Sequence, residues 1–283
     1  MFWGIGVGYL ASADDGAQKV KPMFRSLWQY RHFIFSSIRG ELRGRFARSR
    51  LGALWFILHP LAQSLIFSIV LAEVMRARMP NSDSTAAYPI YLLSGMAAWG
   101  LFSEILNRSI GIFIEQASAM KKIAFPRLCL PVIILGSAII NHVLLLAAIM
   151  IIFLFFGHLP GLAWLYLVPG MLLISAMAFG IGVFLGVLNV FVRDVAQFMS
   201  VFMQLWFWFT PIVYLRNVVP QQFQWLLALN PMTPLVGLYQ DALLLNQGPQ
   251  WTSLLPTFLV GGLAVLLSFT VFRRASPELV DAL

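Results

Sequence analysis

The sequence predicts an all-α integral membrane protein: six transmembrane helices, an N-terminal amphipathic interface helix, and a re-entrant outer helical hairpin between spans 5 and 6. Three observations predict it. Of 283 residues, 60% are hydrophobic and only 11% charged, with a mean hydropathy of +0.82, whereas soluble domains are about 45–50% apolar and 25% charged. The apolar residues gather in runs long enough for membrane-crossing helices, unlike the roughly ten-residue alternation of an outer-membrane barrel strand. Basic residues fall almost wholly in alternate connecting segments. Such a composition excludes a soluble globular enzyme, and 24 Phe with 9 Trp exclude disorder. The single Cys129 excludes a disulfide framework and any multi-cysteine metal site.

Residues 1–22 read as a cytoplasmic extension. Ala11-Ser12-Ala13 superficially resembles a signal-peptidase site, but residues 1–10 carry no Lys or Arg to supply the positive region that such a signal needs. The transmembrane domain is expected over 23–275, with 276–283 as a cytoplasmic tail. Within 24–46, Phe24, Leu27, Trp28, Ile34, Phe35, Ile38, Leu42 and Phe46 recur at mostly three- and four-residue steps. Arg25, Arg31, Arg39, Arg43 and Arg45 lie largely between them. The pattern is an amphipathic helix lying in the headgroup plane, as an anchor, as a docking surface for a partner, or both.

The six expected spans are 51–75, 88–110, 130–156, 162–191, 195–215 and 254–272. An even number puts both termini on one side. All Lys and Arg except Arg76, Arg78 and Arg216 fall on that side, which the positive-inside rule makes cytoplasmic. The net charge of +8 is thus explained by topology and anionic lipid, with no nucleic acid as a partner. Between spans 2 and 3, Lys121, Lys122 and Arg127 sit on a short cytoplasmic helix around 116–125, bounded by Pro126 and Pro131. Between spans 5 and 6, Pro220, Asn230-Pro231 and Thr233-Pro234 interrupt an apolar stretch. A residue before proline avoids the helical region, so two short pieces, 223–229 and 235–245, dip in from the outer face.

The search for catalysis is negative. The sequence has no G-x-x-x-x-G-K-[ST] to cradle nucleotide phosphates, and His32, His59, His142 and His158 are dispersed without metal-ligand spacing. Ala178, Gly182 and Gly186 form a small-residue ridge for close helix packing. Glu104 and Arg108 stand four apart on one helical face, as a structural pair or a gating and coupling element. No ladder of ionisable residues crosses the membrane, which argues against a proton-driven carrier. Trp206, Trp208, Phe209 and Tyr214, together with Trp225 and Tyr239, make either an interfacial aromatic belt or a path on which flat rings stack against sugars.

Several segments together resemble a known family. Glu41-Leu-Arg-Gly-Arg-Phe46 with Leu51-Gly-Ala-Leu-Trp-Phe-Ile-Leu-His-Pro60 is similar to the entry of ABC-2 type polysaccharide-export permeases. Lys121-Lys-Ile-Ala-Phe-Pro-Arg127, Leu188-Asn-Val-Phe-Val-Arg-Asp194, Thr210-Pro-Ile-Val-Tyr214 and Leu229-Asn-Pro-Met-Thr-Pro234 follow in the family's order. The resemblance covers about residues 25–275 and favours the O-antigen branch (lipopolysaccharide) over capsule. It implies a homodimer that joins two separate nucleotide-binding ATPase subunits, which bind the ATP and Mg that this chain does not. The substrate would be lipid-linked polysaccharide, crossing the bacterial cytoplasmic (inner) membrane toward periplasmic export proteins. Coupling to the ATPase would use Arg39 and Arg43 on the interface helix and Lys121, Lys122, Phe125 and Arg127. Capsular polysaccharide, teichoic acid, and lipid or drug export are alternatives within this architecture. A membrane-embedded transferase is a different class, disfavoured by the scarcity of clustered acid, base or metal-binding side chains.

Overall fold

A computed structural model describes residues 25, 27–47, 58, 62, 66, 87–122, 125–155, 157–276, 278–279 and 282. The expected extension 1–22 and nearly all of the expected span 51–75 lie outside the described residues. Among those described, all regular structure is helical. In chain order the main elements are α1 (Arg31–Ala47), α2 (Ala87–Glu115), α3 (Ala117–Lys122), α4 (Cys129–Phe155) and α5 (Leu167–Phe191). They continue with α6 (Asp194–Phe209), α7 (Gln224–Leu229), α8 (Met232–Gln240) and α9 (Leu255–Ala275). One-turn 3-10 segments precede α5 and α9, and a π-turn, Asp241–Leu245, extends α8.

Four segments among the described residues are long and apolar enough to cross a bilayer: Ala87–Glu115, Cys129–Leu154, Leu162–Phe191 and Trp251–Ala275. The helix expected over 195–215 is corrected to Asp194–Phe209. Its 16 residues rise about 24 Å, short of a hydrocarbon core of about 30 Å. It stops because Thr210, held extended at ψ 131°, precedes Pro211. In the other direction α2 runs a full turn past the expected Ile110, so Glu104 and Arg108 sit inside the helix rather than near its end. The short helix expected around 116–125 is described over Ala117–Lys122 and has ended by Phe125. Pro131 and Pro234, expected to break helices, instead occupy the first turns of α4 and α8, where the missing N–H has no intrahelical acceptor to lose.

Packing centres on α2, which lies against α4, α5 and α8, while α9 covers the far side of α5. Within its most apolar stretch α2 is 67% buried and α9 only 22%, so α2 is the core helix and α9 is peripheral. The small-residue ridge does what its spacing implied. A methyl group added at Gly182 would meet Ser109 Cβ of α2 at 2.7 Å, and one at Gly186 would run into the Ser109 carbonyl. On the opposite face of α5, a methyl at Gly180 would come within 2.6 Å of the Val265 nitrogen of α9. Three helix backbones therefore meet closely without side chains between them.

At the end of the bundle bearing Lys121, Lys122, Arg127, Arg273 and Arg274, α1 packs on α4 through Ile34 and Ile38, both buried beside Cys129. Phe33 of α1 meets the Phe125 ring at 5.5 Å. At the other end, the segment expected as two pieces over 223–229 and 235–245 forms α7 and α8, the latter starting at Met232 and extended by the π-turn to Leu245. Tyr88 and Tyr91 of α2 brace the connection into it by donating to the carbonyls of Val213, Pro211 and Tyr214.

Candidate functional site

Helices α2, α4 and α6 line a cavity of about 1060 Å³ that is open to the outside. On α2 its lining follows one helical stripe, Gly100, Glu104, Asn107, Gly111 and Glu115, at three- and four-residue steps. From Met96 to Glu115 that stripe rises about 28 Å, close to the thickness of a bilayer core. Helix α6 faces it with Ser200, Gln204, Phe207 and Trp208, and α4 contributes Asn141 and His142. The wall thus combines flat rings with carboxylate, amide and hydroxyl groups.

A polar network holds one side of this wall. Arg108 donates from Nη2 to Glu41 of α1 at 2.6 Å and from Nη1 to Ser137 of α4 at 2.9 Å. It also meets Glu104 at 3.3 Å, the pairing that their spacing implied. Asn141 Nδ2 donates to Glu104 at 3.0 Å, leaving a buried Oδ1 without a hydrogen-bond partner. On the next residue, His142 Nε2 lies 2.9 Å from the Tyr239 hydroxyl of α8. One guanidinium therefore joins α1, α2 and α4, and α4 in turn holds α8.

The aromatic residues singled out from the sequence are divided by the fold. Trp208 lines the cavity and is 58% exposed. Trp206 turns instead into the core, edge-on to Phe102 at 5.0 Å, and donates its Nε1–H to Asn230 at 2.9 Å. Tyr239 is fully buried. Phe209 and Trp225 are exposed at the end bearing α7, and Tyr214 donates to the Trp208 carbonyl at 3.1 Å. Arg39, Arg43, Lys121 and Lys122 are exposed at the basic end. Phe125 is half-buried against α1, and Arg127 donates to Ser276 at 3.2 Å.

Three asparagines outside the candidates chosen from sequence hold the helices around this site, and of them Asn141 lines the cavity. Asn230 accepts from Trp206 and from the Met232 N–H, and it donates to the Phe209 carbonyl and the Thr210 hydroxyl. It thereby closes the end of α6 and opens α8. Asn189 donates to the Ile110 carbonyl of α2 and accepts from the Ala196 N–H in the first turn of α6. With Asn141 these are amides inside long apolar runs, and that rarity is the signal that could have found them. Nearby, Arg216 donates to the Thr233 carbonyl at 2.7 Å. Burial pushes the Asp241 carboxyl above the usual carboxylate range, and the Arg216 guanidinium pulls it partly back.

The cavity thus runs along α2 and α4, both long and apolar enough to cross a membrane, a shape that suits a membrane domain with a path through it. The chain belongs to the ABC-2 type transporter family, whose profile matches residues 32–244. It is 27% identical over 247 residues to an O-antigen export system permease protein RfbA of Klebsiella pneumoniae, covering 86% of this chain and 92% of that protein. A protein of the same name from Myxococcus xanthus is 26% identical over 265 residues, or 92% and 99% of the two chains. The polysialic acid transport protein KpsM of Escherichia coli is 26% identical over 209 residues, covering 72% and 78%.

Proposed function

We propose that this chain is the membrane subunit of an ATP-driven exporter that moves lipid-linked polysaccharide, of O-antigen type, across the cytoplasmic membrane. The observation that carries the reading is the cavity stripe, about 28 Å long, with rings and hydrogen-bonding groups on facing helices. Rings stack on the apolar faces of sugars without demanding one sugar sequence, and carboxylates and amides bond to hydroxyls. Trp208 and Phe207 touch the glycan, with Phe209, Tyr214 and Trp225 framing its exit. Trp206 and Tyr239 serve from behind, holding α6 and α8 in position.

A two-fold pair of chains forms the conduit, because so few helices cannot enclose a polymer alone. Residues 51–75 and the segment 194–215, in which α6 crosses most of the bilayer and the turn after Thr210 the rest, complete six spans; α1 lies in the headgroup plane, and α7 and α8 are the re-entrant hairpin. Both termini face the cytoplasm, where two separate nucleotide-binding subunits bind ATP and Mg, and periplasmic proteins receive the product. The ATPase rests on α1, through Arg39 and Arg43, and on the α3 segment, through Lys121, Lys122, Phe125 and Arg127. The Phe33 and Phe125 contact makes these one platform. Glu41, Arg108 and Glu104 pass its movement to the cavity wall.

The test is a paired alanine substitution. Phe207→Ala with Trp208→Ala should abolish surface polysaccharide at normal protein level. Leu259→Ala with Leu263→Ala, exposed on the peripheral α9 and away from the cavity, should be nearly silent. Unchanged export in the first pair overturns the path.

A further inference from the structure

We infer that the basic end of the bundle holds a binding site for an anionic phospholipid, whose acyl chain fills a slot between α5 and α9 and whose phosphate is gripped by arginines at the slot's mouth. The site stands apart from the cavity of α2, α4 and α6 and does not depend on what passes there. The slot has a volume of about 180 Å³. Its walls are Leu27 ahead of α1, Leu128 ahead of α4, Phe179 and Val183 of α5, and one face of α9 from Val265 to Phe272. Ser268 in that face donates its hydroxyl to the Val265 carbonyl of its own helix at 2.8 Å, so the described wall presents hydrocarbon alone.

Helices α5 and α9 touch backbone to backbone where Gly180 meets Val265. From that contact the slot follows α9 for about 10 Å, toward the end bearing Arg273 and Arg274. A cavity of about 150 Å³ lined by aliphatic and aromatic side chains stays dry and accepts a benzene ring, so this one takes a comparable length of acyl chain. Helix α9 is peripheral, with only 22% of its most apolar stretch buried, so bilayer lipid reaches the slot. A chain seated there joins α5 and α9 to the segments that lead into α1 and α4.

The mouth selects the headgroup. Every charged residue within two positions of a wall residue is an arginine: Arg25 before Leu27, Arg127 before Leu128, and Arg273 and Arg274 after Phe272. Arg127 donates to Ser276 Oγ at 3.2 Å, which ties the approach to α4 to the end of α9 one turn past Phe272. That bond uses one of five guanidinium N–H donors. Arg25, Arg273 and Arg274 are exposed and have no acidic partner among the described residues. Glu278, the described acid of the tail, lies beyond Ser276 and is exposed. Arginine stems lie along apolar surface while their heads stay at headgroup level, and the planar guanidinium matches a phosphate two bonds at a time. Basic rims over apolar gaps between membrane helices suit phosphate-bearing lipids. Free phosphate would leave the slot empty, and a zwitterionic headgroup would bring its own cation against the arginines.

Photocrosslinking from the slot wall tests the site. The full chain carrying Phe269→p-benzoylphenylalanine is placed in nanodiscs of phosphatidylcholine with a minority of phosphatidylglycerol, irradiated, and its lipid adducts identified by mass spectrometry. Leu266→p-benzoylphenylalanine is the reference, because Leu266 lies about 4.5 Å away along the helix. It is exposed and outside the slot wall. The ratio of phosphatidylglycerol to phosphatidylcholine adducts should be at least about fivefold higher from Phe269 than from Leu266, the gain one arginine brings at a membrane surface. Arg273→Gln with Arg274→Gln should remove most of that difference, while adducts from the Leu266 position show that the chain is still inserted. Equal ratios at the two positions make the slot part of the ordinary lipid shell and overturn the site. A difference undiminished by the two glutamines overturns the arginine mouth. Crosslinking from the Phe269 position to protein alone means that the chain itself fills the slot, and the proposal falls. It falls too if undecaprenyl phosphate, added in equal amount, displaces nearly all the phosphatidylglycerol adducts, since the slot then belongs to a polyprenyl carrier.

Discussion

Asn230 shows how one amide can secure a junction that hydrophobicity cannot. In lipid a helix end gains nothing from water, so the last carbonyls of α6 and the first N–H of α8 need protein partners. Asn230 supplies both, and also the partner of the Trp206 indole. Asn230→Ala strands a buried donor and acceptors at once and should cost about 2–3 kcal/mol. Thermal unfolding in detergent reads this, and Asn230→Asp, which keeps the acceptor and loses the donor, should fall between. Arg108 makes a comparable junction at the other end, with side-chain exposures of 26% for Arg108 and 24% for Glu41. A double-mutant cycle between the two should give a coupling energy of about 1 kcal/mol or more, above that of an exposed pair. A value near zero would make the contact incidental.

Among elements, α5 is the one whose sequence is least free. Gly186→Ala places a methyl against the backbone carbonyl of Ser109, an atom that cannot rotate away. Separating α2 from α5 should cost about 1–3 kcal/mol. Gly262→Ala on α9 meets nothing within 4 Å, and should be neutral or stabilising by up to about 1 kcal/mol through helix propensity. Equal effects of the two would remove close approach as the reason for the ridge. For α3, charge reversal of the exposed Lys121 and Lys122 should uncouple transport from ATP turnover while the protein still inserts. Survival of both export and stimulated turnover would make α3 a solvated turn.

For the molecule as a whole, the central prediction is division of labour. The sequence has no phosphate-binding loop, so the purified chain should release no phosphate from ATP. Turnover should appear only when the nucleotide-binding subunit is added. Robust hydrolysis by the chain alone would contradict the exporter reading. The same assembly should elute with two copies of each subunit, since a lone chain leaves the cavity open beside the exposed Phe198, Phe202 and Leu205 of α6.

Much of this arrangement is legible in the order of residues. Runs of apolar residues state where long helices lie, and the four-residue steps of Glu104 with Arg108 and of Gly182 with Gly186 state which residues share a face. The end of α6 is misplaced by that reading, at 215, although Pro211 carries the local signal for the stop at Phe209. These are local properties, set by the helical repeat and by proline's missing N–H. The partner of each face is not local. Glu41 reaches Arg108 across 67 residues and His142 reaches Tyr239 across 97. Hydrophobicity gives no help in choosing between them, because lipid and protein interior are equally apolar to a leucine or a tryptophan. Trp206 and Trp208 are therefore alike as sequence. One is core and the other is cavity wall only because α2 and α4 stand where they do.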